Sequence, residues 1–322
     1  MEGDELTFPL LEDIHVKNCP KLTFLPKAPI LRILKLEENS PHLSQSVLVS
    51  GYMSSLSQIK LSICADEAIL LPVNEAEASV TKLKLFGCNM LFTTTSRRRA
   101  AQGQLLPHLT SLQIEDCQDL TELFNLPLSL KSIDIDGCPK LKSVWDEQED
   151  TELGTNTQDP SPSARVHSLP CLETFYINDF DNLPGFRDLP SSLQSLALFN
   201  CPKVQFLSGK LDALTCLAIS GCETLRSLES CLGDLPSLTT LMIERCKSLT
   251  SLPDGPRAYS SLESLEIKYC PAMKSLPGCL KQRLDSVEEK LLSHMRSSDP
   301  REGAKLLEPK SWKYVIRRNR DL

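Results

Sequence analysis

Residues 238–253 read LTTLMIERCKSLTSLP, and residues 262–277, twenty-four positions on, read LESLEIKYCPAMKSLP. Both fit L-x-x-L-x-I-x-x-C-x-x-(L/M)-x-x-L-P. The step of two between Leu241 and Ile243 is a strand signal, because alternate side chains of a strand share a face. The steps of three around it are not. Each unit is therefore one short strand followed by an irregular return segment.

The first apolar position of the unit can be followed through the chain at Leu11, Leu31, Leu56, Val80, Leu109, Leu130, Leu172, Leu193, Leu214, Leu238 and Leu262. These eleven copies lie 20, 25, 24, 29, 21, 42, 21, 21, 24 and 24 residues apart. Leucine-rich repeats run from about 20 to 29 residues. The spacing of 42 is twice 21, so a degenerate unit or a long excursion separates Leu130 from Leu172. The expected fold is an α/β leucine-rich-repeat solenoid. It is a curved horseshoe with a parallel sheet on the concave face and irregular or short helical segments on the convex side. Parallel strands need crossovers, which the return segments supply. A single unit buries too few side chains to offset the ordering of some twenty residues. The units must therefore stabilise one another in one continuous core.

Composition narrows the function classes. Aromatic residues make up 5 % of the chain, so the core is expected to be aliphatic. A net charge of −7 argues against general nucleic-acid binding, which needs a basic face. No apolar run reaches eighteen residues, so no membrane span is expected. The first residues, MEGDELTFPLLEDIHVKN, lack the pattern of a signal peptide. Thirteen cysteines are an odd number without a C-x-x-C. Nine of them (Cys19, Cys64, Cys88, Cys117, Cys138, Cys201, Cys222, Cys246, Cys270) occupy the ninth position of the unit, where Asn39 and Phe180 stand in the other two. They read as reduced, buried thiols of a cytosolic or nuclear protein. Thiols stacked along a solenoid do not make a tetrahedral metal cage.

The unit breaks in three places. Residues 89–104, with Arg97, Arg98 and Arg99, lengthen one copy and read as a solvated loop. Residues 146–168 are polar and acidic and read as a disordered excursion. After Pro277, Leu280, Leu284, Val287 and Leu291 recur at steps of four, three and four. That spacing predicts an amphipathic helix over 278–296, placed to cap the array. Two domains follow: a repeat array over 1–277 and a capping helix with its tail over 278–322. The tail, with Trp312, Tyr314, Val315 and Ile316, is expected to pack beside the cap with its arginines solvated. The amino-terminal end shows no cap. Either the chain continues a longer protein, or its first strand edge is left for something else to cover.

No catalytic constellation is present. Gly209-Lys210 lacks the rest of a phosphate-binding loop, no G-x-S-x-G occurs, and the five histidines lack metal-ligand spacing. No enzyme activity, cofactor or metal is expected. What remains is a surface, made by the side chains between and after the strand leucines. The binding candidates on it are Lys35, Lys60 and Lys84 in the early units, then Glu115, Asp134 and Asp136. They continue with Tyr176 and Phe199, and end with Met242, Glu244, Arg245, Glu266 and Lys268. Exposed aromatic anchors and graded charge fit a protein partner. The chain by itself is expected to be monomeric.

The cysteine at the ninth position, the CPxL after it and the closing LP resemble repeats of plant nucleotide-binding leucine-rich-repeat immune receptors. The matches are CPKLTFLP at Cys19, GCPKLKSV at Gly137, FNCPKVQFL at Phe199 and YCPAMKSLP at Tyr269. LDSVEEKLL and DPREGAKLLEPKSWKYVIRR resemble the tails of such receptors in grasses. The resemblance implies a repeat domain that binds a pathogen effector or a guarded host protein. It also implies restraint of a nucleotide-binding domain, a part this chain does not contain. The competing resemblance is to the substrate-recognition subunit of a ubiquitin ligase. Its repeats also carry cysteine here, but it would need an F-box segment ahead of the ten residues that precede Leu11.

Overall fold

The computed structural model describes residues 7–49, 54–62, 69–71, 78–88, 91–93, 106–121, 123, 126–144, 169–228, 232–287 and 289–293. Among them, every strand expected from the repeat is formed. The strands are β1 (Asp13–Lys17), β2 (Ile33–Glu37), β3 (Gln58–Ser62), β5 (Lys82–Phe86), β7 (Ser111–Glu115) and β8 (Ser132–Asp136). They continue as β9 (Thr174–Asn178), β11 (Ser195–Phe199), β13 (Cys216–Ser220), β14 (Thr240–Glu244) and β15 (Ser264–Lys268). On the return side lie β4 (Ile69–Leu71) with β6 (Leu91–Thr93), and β10 (Gly185–Phe186) with β12 (Phe206–Leu207). Helix α1 (Pro41–Val49) forms part of the second return segment. The array is a leucine-rich-repeat solenoid.

Neighbouring strands pair in parallel, like position on like position: Leu217 with Leu241, and Ile219 with Ile243. The inward residues of β2 to β15 on the concave sheet fuse into one core that runs from Ala28 to Val287, with Ile14 and Val16 of β1 partly buried against it. A register slip of one residue would turn all of them outward, so the apolar alternation holds the pairing. The 42-residue spacing is an excursion, because β8 pairs directly with β9. Residues 146–168, where disorder was expected, lie outside the described residues. Of residues 89–104, only 91–93 are described, and they form β6 rather than loop. The core is aliphatic except where Phe175, Phe180 and Phe186 fill one layer and Tyr259 another. Phe175 meets Phe186 edge-on at 5.0 Å.

The residue before the ninth position of the unit turns the chain. In ten described repeats it has a left-handed backbone: Asn18, Glu38, Gly87, Asp116, Gly137, Asp179, Asn200, Gly221, Arg245 and Tyr269. Seven of the ten are Gly, Asn or Asp, the residues that tolerate this region at least cost. The turn drops the next side chain beneath the strand end. There the thiol donates to the carbonyl two residues back, as from Cys201 to Phe199 at 3.2 Å and from Cys270 to Lys268 at 3.2 Å. A small side chain with a weak donor fits that place: eight of the eleven described cysteines are buried, Cys279 is partly exposed, and Cys19 and Cys171 are exposed.

The carboxyl-terminal end corrects the expected helix over 278–296. Helix α2 spans only Gly278–Arg283, followed by a 3-10 turn over Leu284–Ser286. Glu289–Ser293 is then a twelfth strand, β16, parallel to β15. Steps of four and three do not separate a one-and-a-half-turn helix plus strand from a longer helix. The first turn of α2 is satisfied from the preceding repeat. Asp254 accepts the Gly278 amide at 3.1 Å and the Cys279 amide at 2.9 Å. The Cys279 thiol and these amides hold the Asp254 carboxyl below its usual range. Residues 294–322, including the expected tail contacts, lie outside the described residues.

Candidate functional site

The outward side chains of the eleven repeat strands form one continuous concave surface, and the register sorts it into four bands. The first spans β1 to β5 and is rich in lysine. Glu37 sits at its centre. Lys60 donates to its carboxylate, and Lys17 and His15 each stand 3.6 Å away. The Lys60 hydrogen bond, then the charges of Lys60, His15 and Lys17, pull the Glu37 carboxyl down to about 2. Lys84 reaches Glu115 across β5 and β7 at 3.1 Å. Lys35 and Lys82 are exposed and have no ion pair among the described residues. Phe86, at the end of β5, is a large apolar side chain on this face that stays exposed.

The second band is a chain of carboxylates and amides along the carboxyl ends of β7 to β11. Gln113 donates to Glu115 at 2.7 Å and to Asp134 at 3.2 Å. Asn178 donates to Asp136 at 2.7 Å, and Asn200 donates to Asn178 at 3.1 Å. Asp134 is buried, at 6 % exposure.

The third band is apolar. Tyr176, Ala197, Phe199, Ala218 and Met242 form a second cluster, separate from the main core, with exposures of 0–4 %. The Tyr176 and Phe199 rings lie 5.6 Å apart. Burial and the neighbouring Asp136, Asp134 and Asp179 charges push the Tyr176 phenol pKa up. This corrects the expectation of exposed aromatic anchors: Tyr176, Phe199 and Met242 are buried. The physical reason is their setting. Strands about 4.8 Å apart bring outward side chains into contact, and Ala197 and Ala218 leave room for the larger neighbours to close over them.

The fourth band lies over β14 and β15. Glu244 pairs with Arg245 at 3.2 Å, and Lys268 with Glu266 at 2.5 Å. The Arg245 guanidinium lies 5.8 Å over the Tyr269 ring. Tyr269 is 43 % exposed and was not among the candidates. Its signal was its place: it holds the left-handed position after the strand, which points to the rim of the face. Phe86 was missed for the opposite reason, since nothing in the repeat shows that Ser62 and Glu115 leave it uncovered.

The candidates thus separate. Lys35, Lys60, Lys84, Glu115, Asp136, Glu244, Arg245, Glu266 and Lys268 remain at least partly accessible, and Asp134, Tyr176, Phe199 and Met242 do not. Among the described residues no group of three or more His, Cys, Asp or Glu is placed to hold a metal ion. No described helix is long and apolar enough to cross a membrane.

No family model matches the chain. It is similar to an Arabidopsis thaliana protein named as a probable disease resistance protein. The two are 24 % identical over 216 residues, covering 62 % of this chain and 20 % of that relative. The chain therefore spans about a fifth of the relative's length. Among solved structures it is similar to the leucine-rich repeat domain of the type III effector XopL. The identity is 16 %, with 84 % of this chain and 72 % of the other covered, at a TM-score of 0.37. The fold itself rests on the register and burial described above.

Proposed function

We propose that the chain is a protein-recognition module of plant innate immunity, of the kind found in the nucleotide-binding leucine-rich-repeat receptors of grasses. Its concave face binds a pathogen effector or a guarded host protein, or restrains a nucleotide-binding switch domain. It carries out no chemistry of its own and works in the cytosol or nucleus. The observation that carries this reading is the accessible charge of the concave face. Lysines without ion pairs among the described residues, Lys35 and Lys82, stand at one end, and the Arg245–Tyr269 pair at the other. Charge arranged this way sets the orientation and on-rate of a protein partner. The likeness to a disease resistance protein supplies the biological setting.

The test is capture of partners from infected plant tissue by the wild-type chain and by two surface variants, Lys35→Glu/Lys82→Glu and Arg245→Glu/Tyr269→Ala. A partner held by the wild type and lost with either variant supports the reading. Partners indifferent to both variants place binding elsewhere, and capture of a ubiquitin-ligase adaptor would favour the ligase subunit instead.

A further inference from the structure

We infer that the lysine band over β1, β2, β3 and β5 seats an extended acidic segment that crosses these strands. The segment belongs to the protein partner proposed above, and its existence rests on that reading. Charge stands here where the sheet does not need it. The middle outward residues pair in register, His15 with Lys35, Lys35 with Lys60, and Lys60 with Lys84. Like charges directly opposite one another on neighbouring strands are destabilising. Further along the same row stand Tyr176, Ala197, Ala218 and Met242, which close over the sheet by themselves. The row can therefore bury itself, yet over the first strands it carries cations. The outward residues of these four strands include five lysines (Lys17, Lys35, Lys60, Lys82, Lys84) against the carboxylates of Asp13 and Glu37. That sign opposes the −7 of the whole chain. Glu37 takes up Lys60, Lys17 and His15, and Glu115 takes up Lys84. Lys35, between His15 and Lys60, stays exposed and has no ion pair among the described residues.

Spacing selects an extended peptide. Three strand spacings take His15 to Lys84, about 14 Å. Alternate side chains of an extended chain share a face about 6.8 Å apart, so three carboxylates at alternate positions also span roughly 14 Å. The row itself limits sliding. Past Lys84 it continues to Gln113 and the Asp134 carboxylate, with Glu115 at the end of β7, and like charges there reject a further acid. Phe86, 36 % exposed at the end of β5, offers a resting place for one apolar side chain of the segment. A polyphosphate chain brings no such group.

Fluorescence anisotropy on the full chain tests this with a labelled peptide of alternating glutamate and serine that ends in leucine. Lys35→Glu, which breaks no described ion pair, should weaken binding about tenfold. Phe86→Ser should weaken the leucine-ended peptide about threefold and leave a serine-ended one unchanged. Lys203→Glu on the return side makes the same charge change as Lys35→Glu and should have no effect. Wild-type binding weaker than about 1 mM overturns the inference, as does binding that Lys35→Glu and Lys203→Glu weaken alike. Tighter binding of inorganic polyphosphate or single-stranded DNA than of the peptide overturns it in favour of a phosphate ligand. Partners captured from plant tissue and lost with the Lys35→Glu/Lys82→Glu variant, when the peptide does not bind, would keep the proposed function and remove the acidic segment.

Discussion

Asn39 ties the first repeat to the second by gripping Cys19. Its Oδ1 accepts the Cys19 amide at 2.9 Å, and its Nδ2 donates to the Val16 carbonyl at 2.8 Å. Asn39 occupies the place that cysteine fills in most repeats, and its amide makes both bonds at shorter range than the thiols do, as where Cys117 accepts the Cys88 amide at 3.2 Å and Cys246 reaches the Ile219 carbonyl at 3.9 Å. Asn39→Ala leaves a donor and an acceptor unpaired, a cost of about 1–3 kcal/mol. Asn39→Cys should cost less. Urea melts of both variants, with exchange of the β1 amides as a local readout, check the order. Equal stability of Asn39→Ala and wild type would remove the clamp from the account.

The Glu37 cluster predicts a pH dependence. Its carboxyl, ordinarily near 4.5, is lowered in the folded chain to about 2, first by the Lys60 hydrogen bond. A depressed carboxylate contributes its stability above the unfolded value and loses it as pH falls through the folded one. Lys60→Met should therefore destabilise at neutral pH by about 1–2 kcal/mol, allowing for partial solvent screening. The gap from wild type should close between about pH 4.5 and 2. A gap that is constant with pH would assign the loss to packing.

Tyr259 is 1 % exposed, and its hydroxyl has no hydrogen-bond partner among the described residues. Burial pushes its phenol pKa up. Removing an unsatisfied buried donor relieves its desolvation cost. Tyr259→Phe is expected to raise stability by about 1 kcal/mol, read as a higher urea midpoint at unchanged slope. A drop in the midpoint would show that the hydroxyl has a partner.

The left-handed position predicts opposite outcomes for two substitutions. Glu38 holds φ 54° with a side chain, and Glu38→Gly should stabilise by several tenths of a kcal/mol, net of the added freedom of the unfolded chain. At Gly137, φ 65°, an added Cβ would stand 2.9 Å from the Asp116 carboxylate. Gly137→Ala should destabilise by about 1–2 kcal/mol. Thermal melts of the two variants compare them directly.

The thiols should react in two classes. Cys19 and Cys171 are exposed. The adjacent Cys201 thiol and burial push the Cys222 pKa up, and the adjacent Cys270 thiol and burial do the same to Cys246. Under native conditions an alkylating reagent followed by peptide mapping should modify Cys19 and Cys171 first, and reach Cys222 and Cys246 only at the rate of unfolding. Fast native labelling of Cys246 would contradict the buried ladder.

The repeat pattern carried much of this in plain view. Leu241, Ile243 and Cys246 announce a strand, its inward face and the turn after it. The same spacing located all eleven repeat strands, and the described ladder cysteines, except the exposed Cys19, proved to be buried after the strand ends. The twelfth strand was hidden because Leu284, Val287 and Leu291 satisfy a helical spacing equally well. The excursion between Leu130 and Leu172 could not be told from a decayed repeat until β8 was seen to pair with β9.

The sequence by itself determined the architecture, because period and alternation are local properties that repeat in one dimension. Only the tertiary structure decided which outward residues remain a surface. Tyr176, Phe199 and Met242 occupy the same kind of position as Lys35 and Lys84, yet they are buried and the lysines are not. The difference lies in neighbours twenty to forty residues away, brought within one strand spacing by the register. There small alanines let aromatic rings close over the sheet, while charged side chains keep their ends in water.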